Sequence, residues 1–213
     1  MPYHSTNRRV WVGPRRLPGT LYCPQRPSGL IIFAHGSGSS RLSPRNIYVA
    51  EQLVARDLAC LLFDLLQEEE ARDRHNVFDI ALLAERVIEA IAWAPQEEGI
   101  GGLPLGLFGA STGAAAALVA AAEQPNAVAA VVSRGGRPDL AGAALPRVRA
   151  PTLLLVGGED WDVLELNREA LALMACEARL EIVPCATHLF EEAGALEEVV
   201  VRAGAWFLDH LTG

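Results

Sequence analysis

The stretch Gly109-Ala110-Ser111-Thr112-Gly113 decides the reading of this chain, because of what stands on either side of it. Leu103 to Phe108 is an apolar, strand-like run, and Ala114 to Ala122 is an alanine-rich helical one. A serine on a sharp strand-to-helix turn is lifted clear of the backbone, where its hydroxyl can attack a carbonyl carbon. Such a turn crowds the positions two before and two after the serine and favours glycine at both. Both are glycine here.

Outward from that turn, short apolar runs alternate with helix-length segments, the pattern of a mostly parallel sheet with helices on both faces. The runs Leu30 to Ala34, Leu58 to Phe63, Leu103 to Phe108, Ala127 to Val132, Thr152 to Val156 and Leu180 to Val183 read as core strands. They are nearly continuously apolar, as strands buried on both faces must be. Val10 to Val12 and Thr20 to Tyr22, separated by Gly13-Pro14 and Pro18-Gly19, predict an antiparallel ribbon at the N-terminal end. A helix is expected from Ser43-Pro44 to about Arg56, with the serine as cap and proline at the first helical position. A second carries Ile80, Leu83, Val87, Ile88 and Ile91 at helical spacing and stops before Pro95, and others fit Leu164 to Cys176 and Ala195 to Leu211. Gln67-Glu68-Glu69-Glu70 reads as a solvated loop or first helical turn. Arg134 to Pro151 is too short for a lid domain, so an open site is expected.

With 213 residues, 51% hydrophobic and 21% charged, the chain suits one domain over residues 1–213 with a large core. A net charge of −8 argues against binding nucleic acid or anionic membranes, both of which need an excess of Lys and Arg. Met1 to Arg9 is polar and no long apolar run follows, so neither a signal peptide nor a membrane span is expected. Cys23, Cys60, Cys176 and Cys185 lack metal-site spacing and read as free, buried thiols, which suits a cytoplasmic protein.

A second chemical signal, His35-Gly36-Ser37-Gly38-Ser39-Ser40, follows the strand Leu30 to Ala34. A glycine-rich turn there can present backbone N–H groups to a tetrahedral oxyanion, and the expected donors are the N–H groups of Ser37 and Thr112. The alternative, a phosphate-binding loop, lacks G-x-G-x-x-G and G-K-[ST]. The serine needs a base, and the base needs an orienting acid. His188, just past the last strand, is favoured as base over His35, whose place in the glycine turn suits bracing that loop; His4, His75 and His210 read as loop or terminal residues. The acid should follow the strand Thr152 to Val156, where Asp160 is favoured over Asp162, and Glu159 is least suited. Arg41, Arg45, Arg134 and Arg137 fall near the same sheet edge, where ligands of open sheets bind. Arg41, Arg134 and Arg137 are therefore candidate substrate-binding residues that grip an anionic group, unless local acids such as Asp139 or Glu68 to Glu70 pair with them.

On the residues His35 to Arg41, Gly109 to Gly113, Gly157 to Val163 and His188, the chain resembles the dienelactone hydrolase-like group of the α/β-hydrolases over nearly its whole length. The segment His35 to Asn46 also resembles bacterial hydrolase domains that occur fused to phosphoribosyltransferases; these 213 residues show no such second domain. The resemblance implies a single-domain α/β-hydrolase fold without a large lid. It also implies hydrolysis of a small carboxylic ester, lactone or thioester through an acyl-enzyme on Ser111, with His188 and Asp160 completing the triad and no metal or organic cofactor. Perhydrolysis or acyl transfer by the same triad, or a catalytically silent scaffold that binds a small ligand, are the alternatives. Dienelactone hydrolases proper carry a cysteine nucleophile and an arginine shortly after the catalytic histidine. Here the elbow carries Ser111, and Glu191 and Glu192 follow His188, so dienelactone itself is not the expected substrate.

Overall fold

The computed structural model describes residues 6–212; residues 1–5, including His4, and residue 213 lie outside the described part. The strands are β1 (Thr6–Val12), β2 (Leu17–Cys23), β3 (Gly29–Ala34), β4 (Leu58–Phe63), β5 (Leu105–Ala110), β6 (Val128–Arg134), β7 (Thr152–Gly157) and β8 (Ala178–Val183). The helices are α1 (Pro44–Val54), α2 (Arg74–Phe78), α3 (Ile80–Trp93), α4 (Thr112–Glu123), α5 (Trp161–Leu173) and α6 (Ala195–Leu211). All eight strands form one sheet in the order β1-β2-β4-β3-β5-β6-β7-β8. The β1–β2 and β2–β4 pairs are antiparallel, and β3 to β8 run parallel.

Alternation across the sheet sorts the core into two layers. Leu30, Ile32 and Ala34 of β3 pack with residues of α3 and α4, whereas Ile31 and Phe33 pack with residues of α1 and α6. Every residue of β3, β4, β5 and β7 is buried, so their unbroken apolar sequences are what two covered faces require. The order places β3 beside β5, which brings the glycine turn after β3 and the serine turn after β5 together at one carboxyl edge.

Several boundaries differ from those expected. Pro18 and Gly19 lie inside β2, opposite Trp11 and Val10. A β-carbon at Gly19 would meet Val10 Cγ2 at 3.0 Å and Val12 Cγ2 at 3.1 Å, so the glycine admits close packing there and does not mark a turn. Helix α5 starts at Trp161 and ends at Leu173, three residues ahead of the expected span, which leaves Cys176 outside it. Strand β6 runs on to Arg134, which therefore belongs to the sheet and not to a loop after it. The acidic run is only partly solvated: Glu70 opens a 3-10 turn and bonds Arg86, a guanidinium only 2% exposed on α3. All four cysteines are free, but only Cys60 is fully buried; Cys23 and Cys176 are partly covered and Cys185 is exposed. Among the described residues no helix is long and apolar enough to cross a membrane.

Candidate active site

Ser111 occupies the cap position of α4 with φ 51° and ψ −124°. A capping serine normally turns its hydroxyl onto the first helical N–H groups. The left-handed backbone here prevents that, and α4 has no side-chain cap, so the Ser111 hydroxyl is not spent on its own helix. Such backbone costs about 1–3 kcal/mol for a residue other than glycine and is held by its surroundings. Ser111 N–H donates to Arg134 O at 3.3 Å, and Ser111 O accepts from Ala114 N and Arg137 N at 3.1 Å each. The flanking glycines admit no methyl group, since a β-carbon at Gly109 would lie 2.4 Å from Ala114 Cα and one at Gly113 2.2 Å from Ala34 O. Those neighbours are backbone atoms, which cannot swing aside.

His188 lies in the loop after β8, and its Nδ1 is 2.7 Å from Asp160 Oδ2. A carboxylate only accepts, so Nδ1 carries the proton and Nε2 is left with a lone pair. Asp160 stands at the cap position of α5 without capping it, which leaves its side chain for the histidine. The acid turn and the histidine loop are laced by backbone: Gly158 N–H donates to Val183 O at 2.9 Å and Glu159 N–H to Ala186 O at 3.0 Å. Gly157 permits that contact, because a β-carbon there would sit 2.3 Å from Ala186 O. Gly135, directly after the residue that receives the Ser111 N–H, carries the histidine loop: its β-carbon position is 3.1 Å from His188 O and 3.7 Å from His188 Nδ1. Ser111 after β5, Asp160 after β7 and His188 after β8 thus lie along one carboxyl edge of the sheet; among the described residues the His188 ring bonds Asp160, and no hydrogen bond joins it to Ser111 Oγ. Asp162 sits in the first turn of α5 and Glu159 in the turn before it; neither bonds His188.

On the other flank, Gly36 packs onto the serine turn, with a β-carbon position 2.8 Å from Ser111 Cβ. Ser37 N–H donates to Thr112 Oγ1 at 2.9 Å. The two residues expected to supply the oxyanion donors are therefore adjacent, and in the free protein the Thr112 hydroxyl occupies the Ser37 donor. Thr112 N is the first N–H of α4, a group with no partner inside its own helix. His35 braces the turn: Nε2 accepts from Leu65 N–H at 3.1 Å, so Nδ1 carries the proton and donates to Gly36 O at 3.0 Å. Burial pushes the His35 pKa down, which keeps this one tautomer neutral.

The arginines divide. Arg41 is held by Asp64 through both its backbone N–H (2.7 Å) and its guanidinium (2.5 Å). Arg137 binds Asp139 with two hydrogen bonds of 2.8 and 2.7 Å, and Arg45 binds Glu191 at 2.7 Å. Arg134 is buried at the end of β6, and among the described residues its one side-chain bond is from Nη2 to Asn46 Oδ1 at 3.3 Å. Three structural partners escape a sequence reading. Asp64 was traceable from its place just after a core strand. Asn46 and Asn167 were not; Asn167, on α5, donates to Gly136 O at 3.0 Å and ties down the turn after Arg134.

A crystal structure of dienelactone hydrolase from Anabaena variabilis is 52% identical to the chain, covers 99% of it and all of its own length, and superposes with a TM-score of 0.93. The chain belongs to the dienelactone hydrolase-like α/β-hydrolases. No protein-family model matches it. A Mycobacterium tuberculosis protein provisionally named a phosphoribosyl transferase is 56% identical over 212 residues, in each of two strains. The chain spans about half the length of these curated relatives, 48% in each case. More distant members keep the fold alone, among them a dienelactone hydrolase-like promiscuous phosphotriesterase from metagenomic libraries (16% identity over 97% of the chain and 98% of its own, TM-score 0.80). As an α/β-hydrolase enzyme of this family, the chain has the expected single-domain architecture, with the eight-stranded sheet flanked by helices.

Proposed function

We propose that this dienelactone hydrolase-like enzyme hydrolyses small carboxylic esters, lactones or thioesters through an acyl-enzyme on Ser111. The observation that carries this reading is the 2.7 Å bond between His188 Nδ1 and Asp160, made at the same sheet edge as a serine whose backbone withholds its hydroxyl from helix capping. His188 Nε2 takes the Ser111 proton as Oγ attacks the carbonyl carbon, and Asp160 stabilises the imidazolium that forms. The N–H groups of Thr112 and Ser37 receive the developing oxyanion, Ser37 N–H being released to it or shared by Thr112 Oγ1. Collapse expels the alcohol or thiol, which takes the proton from His188. Water, deprotonated by the same histidine, then attacks the acyl-enzyme and frees Ser111.

Substrate size follows from a cavity of about 410 Å³ that borders the glycine turn. Gly36 and Ser37 form its edge toward Ser111, and Leu65, Leu66, Val77 and Leu83 give it apolar walls. That volume is within the range of small-molecule sites. Of its two carboxylates, Asp64 is engaged by Arg41 and Glu68 by Arg72, so the cavity suits an uncharged acyl group. Each methylene buried is worth about 0.8 kcal/mol, so kcat/KM for p-nitrophenyl butyrate should exceed that for the acetate by about tenfold. Leu66→Trp should fill the cavity and erase that preference. Steady-state kinetics on the two esters test this; no ester hydrolysis at all removes the hydrolase reading, and an unchanged preference in Leu66→Trp places the acyl group elsewhere.

A further inference from the structure

Arg134 is 8% exposed, and its Nε and Nη1 have no hydrogen-bond partner among the described residues. A buried guanidinium in this fold is otherwise surrounded by carboxylates: Arg86, 2% exposed, has Glu70, Glu85 and Glu89 at 3.0, 3.4 and 3.5 Å. Among the described residues Arg134 has only the neutral Asn46 Oδ1 at 3.3 Å and, 5.8 Å from its Cζ, the Phe190 ring. The carboxylate next along the chain from Phe190, Glu191, is engaged by Arg45. Alternation along β6 sends Ser133 against Gly136 and Ala114, and Arg134 toward the opposite face, where α1 begins.

That helix end adds to the charge. Asn46 stands in the first turn of α1, which contains no acidic residue, so the positive end of this 11-residue helix, capped by the neutral Ser43 hydroxyl and carrying no countercharge, lies at the residue that bonds the guanidinium. Arg45 lies near enough to repel it as well. Burial, and secondarily Arg45, push the Arg134 pKa down to about 10, which still leaves it charged at neutral pH. An unpaired buried charge is costly unless a counter-ion completes it.

We propose that Arg134, Asn46 and the first turn of α1 form a receptor for a small oxyanion, a carboxylate or a phosphate, beside the His188 loop. Neither Arg134 nor Asn46 lines the apolar cavity. The oxyanion is either free in solution or a group on the leaving-group side of the substrate; the chemistry of recognition is the same.

The stability of the whole chain reads this binding without any hydrolysis. Thermal melts with sodium phosphate from zero to about 50 mM, at ionic strength held constant with sodium chloride, should show the wild-type midpoint rising by about 2–6 °C, with sodium acetate acting in the same sense. Asn46→Asp places a carboxylate in the receptor, so it should melt above wild type in phosphate-free buffer and lose the phosphate response. Arg134→Met should lose that response too; if it does not fold, Asn46→Asp decides alone. The proposal is overturned if wild type does not respond to phosphate, if the variants respond as wild type does, or if Asn46→Asp melts below wild type without phosphate. The source of the anion is read by comparing 4-acetoxybenzoate with phenyl acetate, an arm that rests on the hydrolase reading. A tenfold or greater selective loss of kcat/KM on the charged ester in Arg134→Met, or in Asn46→Asp, assigns the anion to the substrate; equal ratios with the stability response intact assign a free oxyanion.

Discussion

Ser111→Ala is expected to lower turnover of short esters by about 10⁴-fold or more while the protein stays folded. The reasoning separates the residue's two roles. Its backbone, at φ 51°, is fixed by bonds to Arg134 O, Ala114 N and Arg137 N that alanine makes equally well. Only the hydroxyl is lost, and with it the bond to the acyl group. Ser111→Gly relieves the left-handed backbone as well, so it should be equally inactive yet no less stable than Ser111→Ala. Circular dichroism melts and p-nitrophenyl acetate kinetics on the two variants check both statements. Turnover within tenfold of wild type in either would remove Ser111 from the chemistry.

Asp160→Asn should lower kcat by about 10³- to 10⁴-fold, and Asp162→Asn by less than about fivefold. The carboxylate at 2.7 Å holds the proton on His188 Nδ1 and so leaves Nε2 free to act as base. An asparagine there can present its NH₂ group to Nδ1, which fixes the opposite tautomer and blocks proton removal from Ser111. Asp162 points from the first turn of α5 and favours that helix end through its charge alone, so its loss leaves the histidine oriented. The reverse ranking of the two variants, measured as kcat at saturating ester, would transfer the orienting role to Asp162.

The parts of the fold legible in sequence are those set by short-range pattern. Leu58–Phe63 and Ala195–Leu211 match their expected bounds because one is an unbroken apolar run ended by Asp64, and the other is periodic and follows a left-handed Gly194. Helix α1 begins where Ser43 and Pro44 say it should, for the hydrogen-bonding reason that makes serine a cap, with Asn46 N–H donating to Ser43 Oγ at 3.4 Å. Misreadings arose where a residue answers to a distant neighbour. Gly19 in β2 makes room for Val10, Val12 and Phe63, and local rules read it as a turn. Glu70 looks solvated until Arg86, sixteen residues on, closes over it.

The candidate site divides in the same way. Ser111, His188 and Asp160 each follow a recognisable strand, so chain order alone brings them to one edge. Which of the four arginines lacks a carboxylate partner among the described residues was not readable, because Arg41, Arg45 and Arg137 find Asp64, Glu191 and Asp139 through tertiary contact or loop shape. The Ser37 N–H was expected to be open to an oxyanion; its engagement by Thr112 Oγ1 depends on the packing of the glycine turn against α4, with Gly113 lying under Ala34 O and His35 O.

Covalent trapping reads out the nucleophilicity of Ser111 and its activation by His188. The folded protein is treated with a fluorophosphonate, digested, and the adduct located by tandem mass spectrometry, alongside a His188→Ala variant. One phosphonyl adduct is expected, on Ser111, formed at least a hundredfold more slowly in His188→Ala. An unlabelled wild-type protein, an adduct on a different serine, or labelling at the same rate without His188 would contradict it.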